Sequence, residues 1–233
     1  MGYKKRMQKN FLLNPFCAGT IVVLLLYLFK LIDILLYPDG GLLFFEANQG
    51  LEKITYALYV GALIVALSYR SMFFKTPLKK TYFGLLFLWL AALLREMGVQ
   101  HWLTKHDTTA IKLRFFTNPN NPLHEKIISG TLVIIVVGVA LWLFFKYLPK
   151  IWKGFWKLNP LYWTVVTFGS IMILSQFCDR FPSRYFKATG ERLSYPILEV
   201  LKLLEEGGEA CLPVLFALGF IQFAKLKKSL PQN

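Results

Sequence analysis

The chain has 233 residues, of which 55% are hydrophobic, 16% aromatic and only 17% charged, with a mean hydropathy of +0.47. A water-soluble domain carries roughly a quarter charged residues and could not hide this much apolar surface, so composition argues against a soluble protein and for one whose solvent is lipid. The net charge of +14 would suggest a nucleic-acid partner in a soluble chain; here it lies in short clusters beside apolar runs, which suits anionic headgroups at the cytoplasmic face instead.

At the N-terminus Lys4, Lys5, Arg6 and Lys9 precede an apolar run, as in a secretory signal. The run continues to Tyr37, too long for a signal core, and no small-residue cleavage site follows, so it reads as a retained first span over roughly 16–37. Lys30 and Asp33, at i and i+3, are expected to form a self-contained ion pair. A second span, roughly 51–69, opens with Glu52 and Lys53 and is followed by Arg70, Lys75, Lys79 and Lys80.

The third span, roughly 82–103, contains LLREMGVQHW, with Arg95 and Glu96 about two-thirds of the way along it. Gln100 falls one turn beyond Glu96 on the same face, whereas His101 points away from it. The connection TKHDTTAIKLRFFTNPNNPLHEK comes next: AIKLRFF mixes apolar and basic residues and suits the headgroup plane, and NPNNP signals a turn. The fourth span, roughly 127–148, has no charge in its interior, and Lys146, Lys150, Lys153 and Lys157 lie at and beyond its end.

Pro160, suited to a first helical turn, starts a fifth span over roughly 160–181 that ends in SQFCDR. The segment RFPSRYFKATGERLSYP reads as a connection in which Arg180, Arg184, Lys187 and Arg192 interleave with aromatics. Such a mixture fits either phosphate headgroups or ordinary anchoring at a membrane surface. The sixth span, roughly 195–223, holds LEVLKLLEEGGEACLP and is followed by Lys225, Lys227 and Lys228.

Every second connecting segment is basic and free of Asp and Glu, as are both chain ends. The distribution of Lys and Arg therefore places both termini and these connections in the cytoplasm. All thirteen acidic residues fall in outer connections or outward helix halves. The expected fold is all-α: a single domain of six transmembrane helices in the inner (plasma) membrane, N-in and C-in.

Ionisable groups at bilayer depth usually face a protein interior or a water-filled cavity. On an ideal helix Glu199, Lys202, Glu205, Glu206 and Glu209 occupy an arc of about 120°, giving the sixth span one charged stripe. Gly207 and Gly208 within it permit a kink or a close helix approach. Only the fourth span lacks ionisable groups, so the simplest assembly turns the other five toward a polar cavity in the outer half and leaves the fourth to lipid.

The candidate ligand- or ion-binding residues are Glu96, Asp179, Glu205, Glu206 and Glu209, with Arg95, Arg180 and Arg184 as candidate phosphate or headgroup contacts. His101 and His106 are weak candidates for a divalent metal, since no HExxH or other ordered ligand spacing accompanies them. Cys17, Cys178 and Cys211 form no CxxC pair and read as small apolar packing residues.

Three functions use these residues. One is binding or transport of a cation, protons or an amine-bearing solute by an outward-facing carboxylate cluster. The second is an enzyme acting on lipid or lipid-linked phosphate at the outer leaflet, with or without a metal. The third is an accessory subunit whose charges a partner membrane protein satisfies.

Overall fold

Six long helices follow the chain in the order expected from hydropathy: α1 (Cys17–Leu36), α2 (Gly50–Ser68), α3 (Lys79–Glu96), α4 (Leu123–Trp156), α5 (Pro160–Thr189) and α6 (Tyr195–Ser229). The computed structural model describes residues 10–36, 45, 50–74, 76–99 and 113–229, and every regular element among them is helical. Short helical turns at Phe11–Leu13, Ser71–Phe74 and Leu113–Thr117 lie between or before the long helices. Helices α1, α2, α4, α5 and α6 are each long and apolar enough to cross a membrane, so the fold is that of a polytopic helical membrane protein. Helix α3 spans 18 residues but carries Lys79 and Lys80 at one end and Arg95 and Glu96 at the other.

Helices α1 and α2 match their expected bounds within a residue. The other four differ for local reasons. Helix α3 stops at Glu96, capped through Met97, and Gly98 follows at φ +69°, a left-handed conformation that ends a helix and favours glycine. The expected end at Leu103 lies outside the described residues. Helix α4 continues through Pro149 to Trp156, so the supposed inner connection shrinks to a turn in which Leu158 takes φ +53° and Asn159 caps α5. The Asn159 side chain accepts a hydrogen bond from the Leu161 N–H at 3.0 Å.

Helix α5 likewise passes through Pro182 and runs to Thr189, where Gly190 at φ +74° closes it. Residues 181–189, expected in a connection, are therefore helical. A proline removes one backbone hydrogen bond, but the flanking turns, with Arg184, Lys187 and Ala188, hold good helix formers. Helix α6 extends to Ser229, two turns past its expected end.

The chain divides into two compact units, Met1–Tyr69 with Lys150–Asn233, and Arg70–Pro149. In the first, α6 is the central helix, packed against α5, α2 and α1. Half of its apolar window is buried, against 17% for α1 and α5. Small residues make this possible: Ala210 and Cys211 are fully buried, and all three cysteines are buried and unpaired. A Cβ at Gly207 would meet Leu26 of α1 at 2.8 Å, and one at Gly208 would meet Ser175 of α5 at 2.5 Å. The two glycines thus let α6 approach a helix on each side, the packing by which helices associate in lipid.

The end of this unit at which the N-terminal turn meets α5 and α6 is fastened by polar groups that lipid could not satisfy. Gln222, fully buried, donates to the Leu12 carbonyl at 3.0 Å and accepts from the Thr164 hydroxyl at 2.7 Å. Phe155 and Trp163 stack at 4.4 Å, and the Trp163 ring N–H donates to the Phe155 carbonyl.

In the second unit α3 meets the first part of α4. Gly84 lets Trp142 close to 3.1 Å of where a Cβ would stand. Near the start of α3 the Thr81 hydroxyl lies 2.7 Å from the Tyr147 hydroxyl and accepts from Lys146 at 3.1 Å, while Lys146 sits 4.6 Å from the centre of the Trp142 ring. At the other end the expected NPNNP turn forms, and the Asn121 side chain donates to the Phe115 carbonyl at 2.8 Å. Phe115, in the part of AIKLRFF that lies among the described residues, is fully buried. Of α4's apolar window only 11% is buried.

Candidate functional site

Where the last turns of α1 lie beside the first turns of α6, the first unit carries a group of charges drawn from three helices. Its spine is the stripe on α6. Lys202 lies 3.0 Å from one Glu205 oxygen and 3.6 Å from Glu206, so one ammonium is shared by two carboxylates. The spacing i, i+3 and i, i+4 brings these side chains onto one face, as the helical repeat requires. The Glu205 side chain is the most enclosed of the three, at 13% exposure against 39% for Lys202. Helix α5 adds Asp179, which is within electrostatic reach of both Lys202 and Glu205.

Helix α1 supplies the remaining members. Lys30 is 2.9 Å from Asp33 and also donates to Glu199 of α6. The expectation of a self-contained Lys30–Asp33 pair is therefore corrected: Lys30 bridges two helices, 169 positions apart in sequence. Asp33 is 3% exposed, and its second oxygen has no hydrogen-bond partner among the described residues. Lys202 and Lys30 each sit between two carboxylates, and the group has more carboxylates than ammonium ions.

Of the expected ligand residues, Glu205, Glu206 and Asp179 gather here, and Glu209 follows one turn beyond Glu205 and Glu206 on α6, partly buried. Glu96 and Arg95 belong to the other unit, where Glu96 is partly buried and Arg95 exposed at the end of α3. Arg180 and Arg184 are exposed on α5. On that helix they lie about 100° or more from Asp179, so the face that presents Asp179 to the charged group is not the face that carries the arginines. His101 and His106 lie outside the described residues. Among the described residues no three His, Cys, Asp or Glu side chains converge as a metal ligand set.

Sequence reasoning placed Glu199 and Lys202 on the stripe but not among the ligands, and it left Lys30 and Asp33 out of the site. A signal for them existed: Lys30 and Asp33 lie in the last turns of α1 and Glu199 in the first turns of α6, so all three come at the end of a long apolar helix. An apolar groove beside the first turns of α1 and α5, lined by Phe16, Thr20, Val23, Leu24 and Trp163, has no part in this group.

Chemically, the arrangement is a set of carboxylates that already binds ammonium. Each contact is charge-assisted and partly removed from water, which strengthens it relative to a surface pair. Compared with known protein families, curated proteins and solved structures, the chain matches none.

Proposed function

We propose that this protein binds or transports a cationic solute, with an amine-bearing molecule the favoured class, at the carboxylates of α6 on the outer side of the membrane. In this reading all six long helices span the inner membrane, α3 included. Its charges stand only at its two ends, and 18 residues at the helical rise make about 27 Å, close to the hydrocarbon thickness. The basic segments lie in the cytoplasm, and Glu205, Glu206, Glu209 and Asp179 face a polar space reached from outside.

The observation that carries the reading is the Lys202 ammonium shared between Glu205 and Glu206 in a partly buried setting. A side chain that holds an internal ammonium by two carboxylates has the chemistry to hold an external one. Asp33 supports it further, since a buried carboxylate oxygen with no donor among the described residues favours any donor that reaches it.

Purified protein in mild detergent provides the test. Methylamine, a diamine, sodium and potassium are titrated while thermal unfolding is followed, and uptake of the same solutes is measured in proteoliposomes. A stabilising solute whose effect and flux vanish in folded Glu209→Gln and Glu205→Gln variants is the expected result. Unchanged uptake in both variants, or no solute-dependent stabilisation of the unsubstituted protein, would sink the proposal.

A further inference from the structure

A different face of α5 carries a second binding chemistry, independent of the carboxylates. Helix α5 has 30 residues, about 45 Å at the helical rise. Counting from Pro160, the roughly 20 residues that cross hydrocarbon end near Asp179. The last ten residues, 180–189, therefore pass through the headgroup layer as rigid helix instead of looping back.

Around the helix, Arg180, Arg184 and Lys187 fall within an arc of about 60°. All three are exposed, and no ion pair ties them to a carboxylate among the described residues. Directly beneath them on the same side, at hydrocarbon depth, stand Ile173 at 69% exposure and Phe177 at 52%. Phe177, Phe181 and Tyr185 continue upward beside the basic stripe, their rings 5.4 and 6.3 Å apart in sequence. The face thus reads, from below to above, as exposed aliphatic and aromatic surface, then an aromatic edge, then three fixed cations.

We propose that this face of α5 is a binding site for an anionic phospholipid of the outer leaflet, with the acyl chain along Ile173 and Phe177 and the phosphate held by Arg180, Arg184 and Lys187. The vertical order of the residues matches the vertical order of groups in the lipid. Arginine donors suit a phosphate diester because they engage two oxygens at once. A free phosphate would use the cations alone and gain nothing from the apolar column below.

The experiment is native mass spectrometry of the full chain released from micelles containing equal amounts of phosphatidylglycerol and phosphatidylcholine. The unsubstituted protein should retain phosphatidylglycerol preferentially. The Arg180→Gln, Arg184→Gln, Lys187→Gln triple variant should lose roughly fivefold of that preference per charge, about a hundredfold in total. An Ile173→Ser, Phe177→Ser variant keeps the cations and should weaken retention of the lipid without altering any response to glycerophosphate. Exchange of the three residues for Lys, Lys and Arg controls for folding and should keep most of the preference. Equal preference in the triple variant overturns the proposal. Displacement of the lipid by inorganic phosphate at comparable concentration overturns it in favour of a free anion.

Discussion

Gly208 of α6 packs so closely on Ser175 of α5 that a Cβ at the glycine would stand 2.5 Å from the serine hydroxyl oxygen. That hydroxyl is directed to the Leu204 carbonyl at 3.4 Å, and Ser175 is 1% exposed, so the contact sits in the seam of the central helix just inside the charged group. Gly208→Ala should lower the unfolding temperature in detergent, because overpacking of about 1–3 kcal/mol exceeds the helix-propensity gain of about 1 kcal/mol. In a Ser175→Ala background the obstructing oxygen is gone, and the same change should become neutral or stabilising. Equal destabilisation in both backgrounds would show that the seam does not depend on this contact.

Lys202 lies between Glu205 and Glu206, so its removal takes away the ammonium that the two neighbouring carboxylates share. Lys202→Met should destabilise the protein by about 1–2 kcal/mol, less than a fully buried pair because the lysine is part exposed. Adding Glu205→Gln should recover most of the loss. Thermal unfolding of the two single variants and the double variant checks this, and a purely additive outcome would count against a shared ammonium.

Gln222 connects the N-terminal turn to α5 through Leu12 and Thr164. Gln222→Leu should cost about 0.5–2 kcal/mol, the range for hydrogen bonds between membrane helices. Thr164→Val added to it should cost little more, since both changes break the same bridge. Two full and independent losses in the unfolding curves would contradict the bridge.

Cys17, Cys178 and Cys211 are each no more than 1% exposed. All three thiols should resist a maleimide in the folded protein and react once the protein is denatured. Rapid labelling of any one in native detergent solution, read by mass spectrometry, would place that residue at an accessible surface.

Much of this architecture was legible in the residue order because a span is a local property. Twenty apolar residues specify a membrane helix wherever they occur, and the limits of α1 and α2 could be read to within a residue. The stripe on α6 was legible for the same reason: Lys202, Glu205 and Glu206 share a face through the 3.6-residue repeat alone. The ends of α4 and α5 were not, since Pro149 and Pro182 are ordinary helix breakers by composition, and here the flanking turns carry the helix past them.

What the sequence by itself determined about this protein was its solvent, the order of its spans and the charged face of its last helix, all set by hydropathy and helical period. What only the tertiary structure decided was which helices that face meets. Lys30 reaches Glu199 across 169 positions because α1 packs beside α6, and α6 can stand at the centre of its unit because Gly207, Gly208, Ala210 and Cys211 leave room for helices on both sides. A contact between helices depends on side-chain volume on both partners at once, and that information belongs to no single segment of the chain.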